Sequence, residues 1–128
     1  MSEVAETPYD LLGGAAAVRA VVDKFYDIMD SAPYAKSIRA MHGPDLGPMR
    51  DRLFWFMSGW LGGPQIFFEK RPGVCIRSAH RPFAIGPAER DAWLRCMLSA
   101  LDEVAPGPEV RRLLEQPLFR MAEMFRSQ

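Results

Sequence analysis

The chain has 128 residues, and its 16 basic and 16 acidic side chains leave no formal net charge at pH 7, which argues against a nucleic-acid footprint. A hydrophobic share of 48%, with 8 Phe, 8 Met and 3 Trp, suits one domain long enough to bury a core and enclose a planar apolar ligand. No uninterrupted apolar run approaches the roughly 18 residues that a membrane-spanning helix requires.

The first six residues carry acids and no basic region before an apolar core, so no secretory signal is expected. Cys75 and Cys96 are spaced for neither a Cys-x-x-Cys redox pair nor a zinc cluster. Two free thiols in a soluble cytoplasmic protein are the expectation, since disulfides are rare in that compartment.

Thr7-Pro8 reads as a helix start, with a capping hydroxyl and proline at the first helical position, and Gly13-Gly14 closes that short helix. A second helix begins near Ala15 and runs to about Asp30. Val18, Val21, Val22, Phe25 and Met29 share one face of it, with Tyr26 at the edge. Ser31-Ala32-Pro33 breaks it, and a short helical piece through Ile38 and Met41 ends at His42-Gly43-Pro44. Asp45 then reads as the cap of a helix with Met49, Leu53, Phe56, Met57 and Trp60 at helical spacing, stopped by Gly62-Gly63-Pro64.

Residues 65–85 show no sustained period and contain Arg71-Pro72-Gly73 and Pro82, so an irregular segment with one helical turn is expected. Loops of this length inside a compact domain are usually functional, and His80 lies on this one. Gly86-Pro87 opens a further helix with Glu89 in its first turn and Trp93, Met97, Ala100, Leu101 and Val104 on one face, ended by Pro106-Gly107-Pro108. The last helix carries Val110, Leu113, Leu114, Leu118, Met121 and Phe125, with a kink expected at Pro117. The sum is an all-α domain of five or six helices spanning residues 1–128.

The organising stretch is residues 77–97. His-x-Pro-Phe-x-Ile-Gly from His80, followed by Glu89-Arg90-Asp91-Ala92-Trp93-Leu94-Arg95-Cys96-Met97, resembles the proximal-histidine loop and following helix of group II truncated haemoglobins. Gly13-Gly14, Phe25-Tyr26 and Gly62-Gly63-Pro64 fall in that family's order and approximate spacing, so the resemblance covers most of the chain. It implies a two-over-two helical sandwich around haem b. His80 would be the proximal iron ligand, with its second ring nitrogen donating to a backbone carbonyl or water.

The same resemblance places Tyr26 and Trp93 over the bound ligand, as O–H and N–H donors to the partial negative charge of iron-bound dioxygen. His42 would hold the Tyr26 hydroxyl, touch the ligand or turn toward water. Met49 and Leu53 correspond to haem-facing positions of the distal helix. Both are apolar, so the distal histidine of ordinary globins is missing, and so is the polar residue that some relatives carry at the Leu53 position. Phe56 and Phe83 would line the ring together with Phe54 and Trp55, while Arg52, Arg77 and Arg81 would pair with the propionates, Arg77 being best placed.

The implied ligands are dioxygen, nitric oxide, carbon monoxide or peroxide. Two or three donors acting on one ligand atom imply slow release, and hence chemistry on the bound ligand rather than simple carriage, served by a reductase that the sequence does not identify. Peroxidase and nitric oxide dioxygenase activity, a redox role for Cys75 or Cys96, and a monomeric or homodimeric state all stay open. From the residues alone a second reading also stays open: a cofactor-free all-helical interaction module with methionine-rich faces.

Overall fold

Thr7 caps α1 (Pro8–Leu12) through a reciprocal capping box, in which its hydroxyl accepts from the Asp10 N–H at 3.2 Å and its own N–H donates to the Asp10 carboxylate at 3.3 Å. The computed structural model describes residues 6–128, so the reading of residues 1–5 as free of a secretory signal lies outside the described residues. α2 (Ala15–Ser31) buries Val18, Val21, Val22, Phe25, Tyr26 and Met29, the face its period marks out, with Tyr26 fully inside rather than at an edge. A 3-10 turn at Pro33–Ala35 leads into α3 (Lys36–Ala40), followed by α4 (Gly47–Trp60), α5 (Ile66–Lys70), α6 (Ile76–His80), α7 (Pro87–Val104) and α8 (Pro108–Met124).

Eight α-helices therefore replace the expected five or six among the described residues. The difference lies mostly in residues 65–85, expected to hold one helical turn and in fact holding α5 and α6. Each has five residues, too few to display an amphipathic period, and Arg71-Pro72-Gly73 separates them. Asp45 is displaced from its expected role by one position. Leu46 is the cap residue of α4, and the Asp45 carboxylate accepts from the Gly47 N–H at 2.9 Å. α8 runs as one helix through Pro117. The carbonyl that this proline cannot satisfy belongs to Leu113, which is exposed although its period placed it on the apolar face.

The core lies where α2 crosses α7, with α4 packed beside α2 and α8 beside α7. Phe25, Met29, Met97, Leu118, Val18, Val22 and Cys96 are almost wholly enclosed there. α4 differs from the other long helices. Only Met57 and Ser58 are buried on it, while Met49, Leu53, Phe54, Phe56 and Trp60 are half-buried at the margin of the core.

The double glycine after α4 allows α1 to dock. Gly62 has φ +96°, and a Cβ there would sit 2.8 Å from that of Thr7; a Cβ on Gly63 would run into the Tyr9 ring. The Tyr9 N–H donates to the Leu61 carbonyl at 3.0 Å, which fixes this approach. Gly63→Ala should therefore cost about 1–3 kcal/mol through overpacking. Thermal unfolding measures this; an unchanged melting temperature would mean that α1 is not held against this turn.

Candidate functional site

His80 is the last residue of α6, and its ring is fixed from two sides. Nδ1 lies 2.7 Å from the carbonyl oxygen of Ile76, one turn back. A carbonyl only accepts, so Nδ1 carries the proton and Nε2 keeps a free lone pair. The Phe125 ring, at the end of α8, stacks on the imidazole with 4.3 Å between centroids and 27° between planes.

The chain's C-terminus holds the following loop in place. The Ser127 and Gln128 N–H groups donate to the Ile85 carbonyl at 2.8 and 3.1 Å, and the Ile85 N–H donates to the Ser127 hydroxyl at 3.0 Å. That hydroxyl donates in turn to the Phe83 carbonyl at 3.1 Å. Arg90 pairs with Glu123 and covers the Phe119 ring, joining the start of α7 to the end of α8.

Tyr26, His42 and Trp93, apart in sequence, are linked by a run of ring contacts that passes through Phe25. The Phe25 ring makes edge contacts with Trp93 at 5.5 Å and with Tyr26 at 4.9 Å, and Tyr26 meets His42 edge-on at 5.9 Å. Burial pushes the Tyr26 hydroxyl well above its ordinary pKa, and the Arg50 guanidinium, 5.8 Å from the ring centroid, opposes only part of that. Tyr26 is therefore a neutral O–H at any physiological pH.

His42 repeats the His80 arrangement. Its Nδ1 lies 2.8 Å from the carbonyl oxygen of Ile38, again four residues back. Burial lowers its pKa; the bond to Ile38 raises it, and the charge of Arg39 lowers it further. Trp93 is half-buried at the margin of the core, next to the Phe25 ring.

The remaining expected residues divide in two. Met49, Leu53 and Phe56 are half-buried along α4, as are Phe54 and Trp55. Phe83 is exposed at 37%, with its backbone rather than its ring tied to the C-terminus. Arg52, Arg77 and Arg81 are all exposed. Cys75 is exposed and Cys96 buried, both as free thiols. Hydrogen bonds from Ser78 hold the Cys75 thiol below its ordinary pKa, whereas burial pushes Cys96 up.

Sequence reasoning missed Phe25 as the link between the Tyr26 and Trp93 rings, and it missed Phe125 and Ser127 behind His80. One signal was in reach: isoleucine four residues before histidine occurs twice, as Ile38…His42 and Ile76…His80.

The paired helices α2 with α4 and α7 with α8, with His80 at the end of α6 and the Tyr26, His42 and Trp93 rings linked through Phe25, are the framework of a two-over-two globin, a haem-based ligand-binding protein. The chain belongs to the Bacterial-like globin family, whose model matches residues 7–126. It is similar to the group II 2-on-2 hemoglobin from the plant pathogen Agrobacterium tumefaciens, at 38% identity and a TM-score of 0.92, covering 100% of this chain and 99% of that one. It is also similar to the cold-adapted truncated hemoglobin of the Antarctic marine bacterium Pseudoalteromonas haloplanktis TAC125, at 40% identity and a TM-score of 0.90, covering 96% and 99% of the two chains. Group 2 truncated hemoglobin YjbI of Bacillus subtilis (strain 168) is 32% identical over 114 residues, 89% of this chain and 83% of that protein. Family membership removes the cofactor-free interaction module as a reading. No helix among the described residues is long and apolar enough to cross a membrane.

Proposed function

We propose that this protein binds haem b through Nε2 of His80 and holds dioxygen on the opposite side against Tyr26 and Trp93, releasing it slowly. The carrying observation is the Nδ1 contact of His80 with the Ile76 carbonyl at 2.7 Å, because it leaves Nε2 as a bare lone pair on a ring that Phe125 keeps from turning. A donated Nδ1 proton also raises the basicity of the ligating nitrogen, as outer partners of metal-bound histidines do. The donor set therefore fits haem.

Haem iron, when bound, supplies the site for a diatomic ligand. The chain supplies the rest. Phe25 holds Trp93 and Tyr26 in edge contact, and burial keeps the Tyr26 proton on its oxygen, where it can be donated. Met49, Leu53 and Phe56 offer an apolar wall that keeps water from competing for those donors. The exposed Arg77 and Arg81, flanking His80 on α6 and its cap, are the side chains proposed for the propionates, with Arg52 of α4 in the same role. Solvent weakens such pairs to roughly 0–1 kcal/mol each, so they orient the ring more than they hold it.

A hydrogen bond to a charged acceptor contributes about 1.5–3 kcal/mol, and each 1.4 kcal/mol is about tenfold. Tyr26→Phe and Trp93→Phe should each speed dioxygen dissociation by roughly ten to a hundredfold. Protein produced with haem available should show a Soret band, and stopped-flow displacement of dioxygen gives the rates. Unchanged rates in both variants would remove the donor role; a wild-type protein without a Soret band would remove the haem reading. Slow release favours chemistry on the bound ligand over carriage. Peroxide turnover, and nitric oxide turnover by the oxygenated form with a reductase supplied, are the assays for it.

A further inference from the structure

In the haem-binding reading His42, in edge contact with Tyr26, lies on the ligand side, and its Nδ1 is turned to the backbone. The Ile38 carbonyl can only accept, so a 2.8 Å contact commits the Nδ1–H and leaves Nε2, on the opposite edge of the ring, as a bare acceptor. A ring in this state cannot donate to dioxygen. It can receive a proton. We infer that His42 is the proton acceptor of the pocket: Nε2 takes the proton that a protic ligand, such as hydrogen peroxide or hydrogen cyanide, must lose as it binds to the iron. The inference rests on the haem-binding reading above.

The balance is simple. The ligand's H–X bond breaks, X⁻ is left to bind the metal, and Nε2 gains the proton while the Nδ1–H still donates to Ile38. No electrons are transferred in this step. The groups facing the ring decide how long the proton stays. α2 contributes the neutral Tyr26, which meets the ring edge-on, and α3 the Arg39 guanidinium; the Arg50 guanidinium of α4 lies one ring away, over Tyr26. Burial and the Arg39 guanidinium oppose an imidazolium, so His42 is neutral when a ligand arrives and returns the proton to solvent afterwards.

The arrangement divides labour among the three polar side chains. Tyr26 and Trp93 present donors and suit dioxygen; His42 presents an acceptor and suits ligands that arrive protonated. General-base assistance of this kind contributes about a hundredfold or more.

Hydrogen cyanide is a suitable probe because it enters as the neutral acid and binds as the anion. In the ferric protein, His42→Phe and His42→Gln should each slow hydrogen cyanide association by about a hundredfold more than they change carbon monoxide association with the ferrous protein. The glutamine variant keeps a polar side chain of similar size and is not a base, which separates lost proton transfer from altered shape. Nitrogen-15 resonances of the haem-free protein should show a protonated Nδ1 and a bare Nε2 at His42 near neutral pH. Cyanide rates unchanged in both variants, carbon monoxide rates that fall in parallel, or the opposite tautomer would each overturn the inference. Absence of a Soret band in the wild-type protein would overturn the haem reading instead.

Discussion

His80→Gly should give a folded protein that loses haem on gel filtration and recovers its Soret band when imidazole is added. Removing only an outer hydrogen-bond partner of a metal ligand typically costs 10–100-fold in affinity, so deletion of the ligand itself should exceed about a hundredfold. The glycine leaves a gap below Phe125 of about one imidazole, and the Ile76 carbonyl at its edge can receive the N–H of the added base.

Folding should survive, because His80 lies outside the buried cluster formed by α2, α4, α7 and α8. Loading should then separate wild type from variant by stability as well. Haem at a thousandfold excess over its dissociation constant stabilises the wild type by about 4 kcal/mol, and the variant should show little of this until imidazole is present. Retention of haem by His80→Gly without imidazole would show that another side chain holds the iron. Rescue by imidazole of the Soret band, but not of the added thermal stability, would show that the covalent link between ring and α6, rather than ligation alone, carries that stability.

The main framework was legible in the sequence because its long helices are amphipathic and their ends carry recognisable punctuation. α2 shows this best: every residue of its period-marked face is buried, and Gly13-Gly14 precedes it as expected. α5 and α6 were not legible. A five-residue helix presents little more than one turn, so no repeat can register; α5 is in edge contact with α4 through Phe67 and Phe56 at 6.1 Å, and α6 is stacked through His80 on Phe125. Leu113 shows the opposite failure, a residue that fits the period of α8 yet faces solvent.

The candidate site could be named residue by residue from resemblance, but its arrangement could not. His80, Tyr26, His42 and Trp93 could be chosen by resemblance, but the protonation pattern of both histidines depends on carbonyl groups of Ile38 and Ile76, which side-chain chemistry does not reveal. The support behind His80 was hidden for a different reason. Phe125 and Ser127 are 45 and 47 positions further along the chain, and they reach the loop only because α8 folds back along α7.

Phe25→Ala should be the most damaging single truncation in the described core that spares every polar group of the site. Its ring is 1% exposed and sits between Trp93 and Tyr26, so the substitution loses both its own burial and two aromatic edge contacts. Phe-to-Ala changes in cores cost about 3–5 kcal/mol, a large part of the roughly 5–15 kcal/mol that stabilises a domain of this kind. The melting temperature should fall by about 10–20 °C.

Phe25→Leu fills most of the void and should lose little stability by comparison, yet it lacks the flat face that fixes the planes of the two neighbours. Aromatic pairs of this geometry are worth about 0.5–1.5 kcal/mol beyond the area they bury. If Tyr26 and Trp93 are donors held in position by Phe25, the leucine variant should release dioxygen several-fold faster while melting close to wild type. That combination is diagnostic, because a purely structural phenylalanine would move both measurements together. Wild-type dissociation rates in Phe25→Leu would show that the two donors keep their aim without the ring between them, and the precision of the ligand side would then have to come from α4 and from His42.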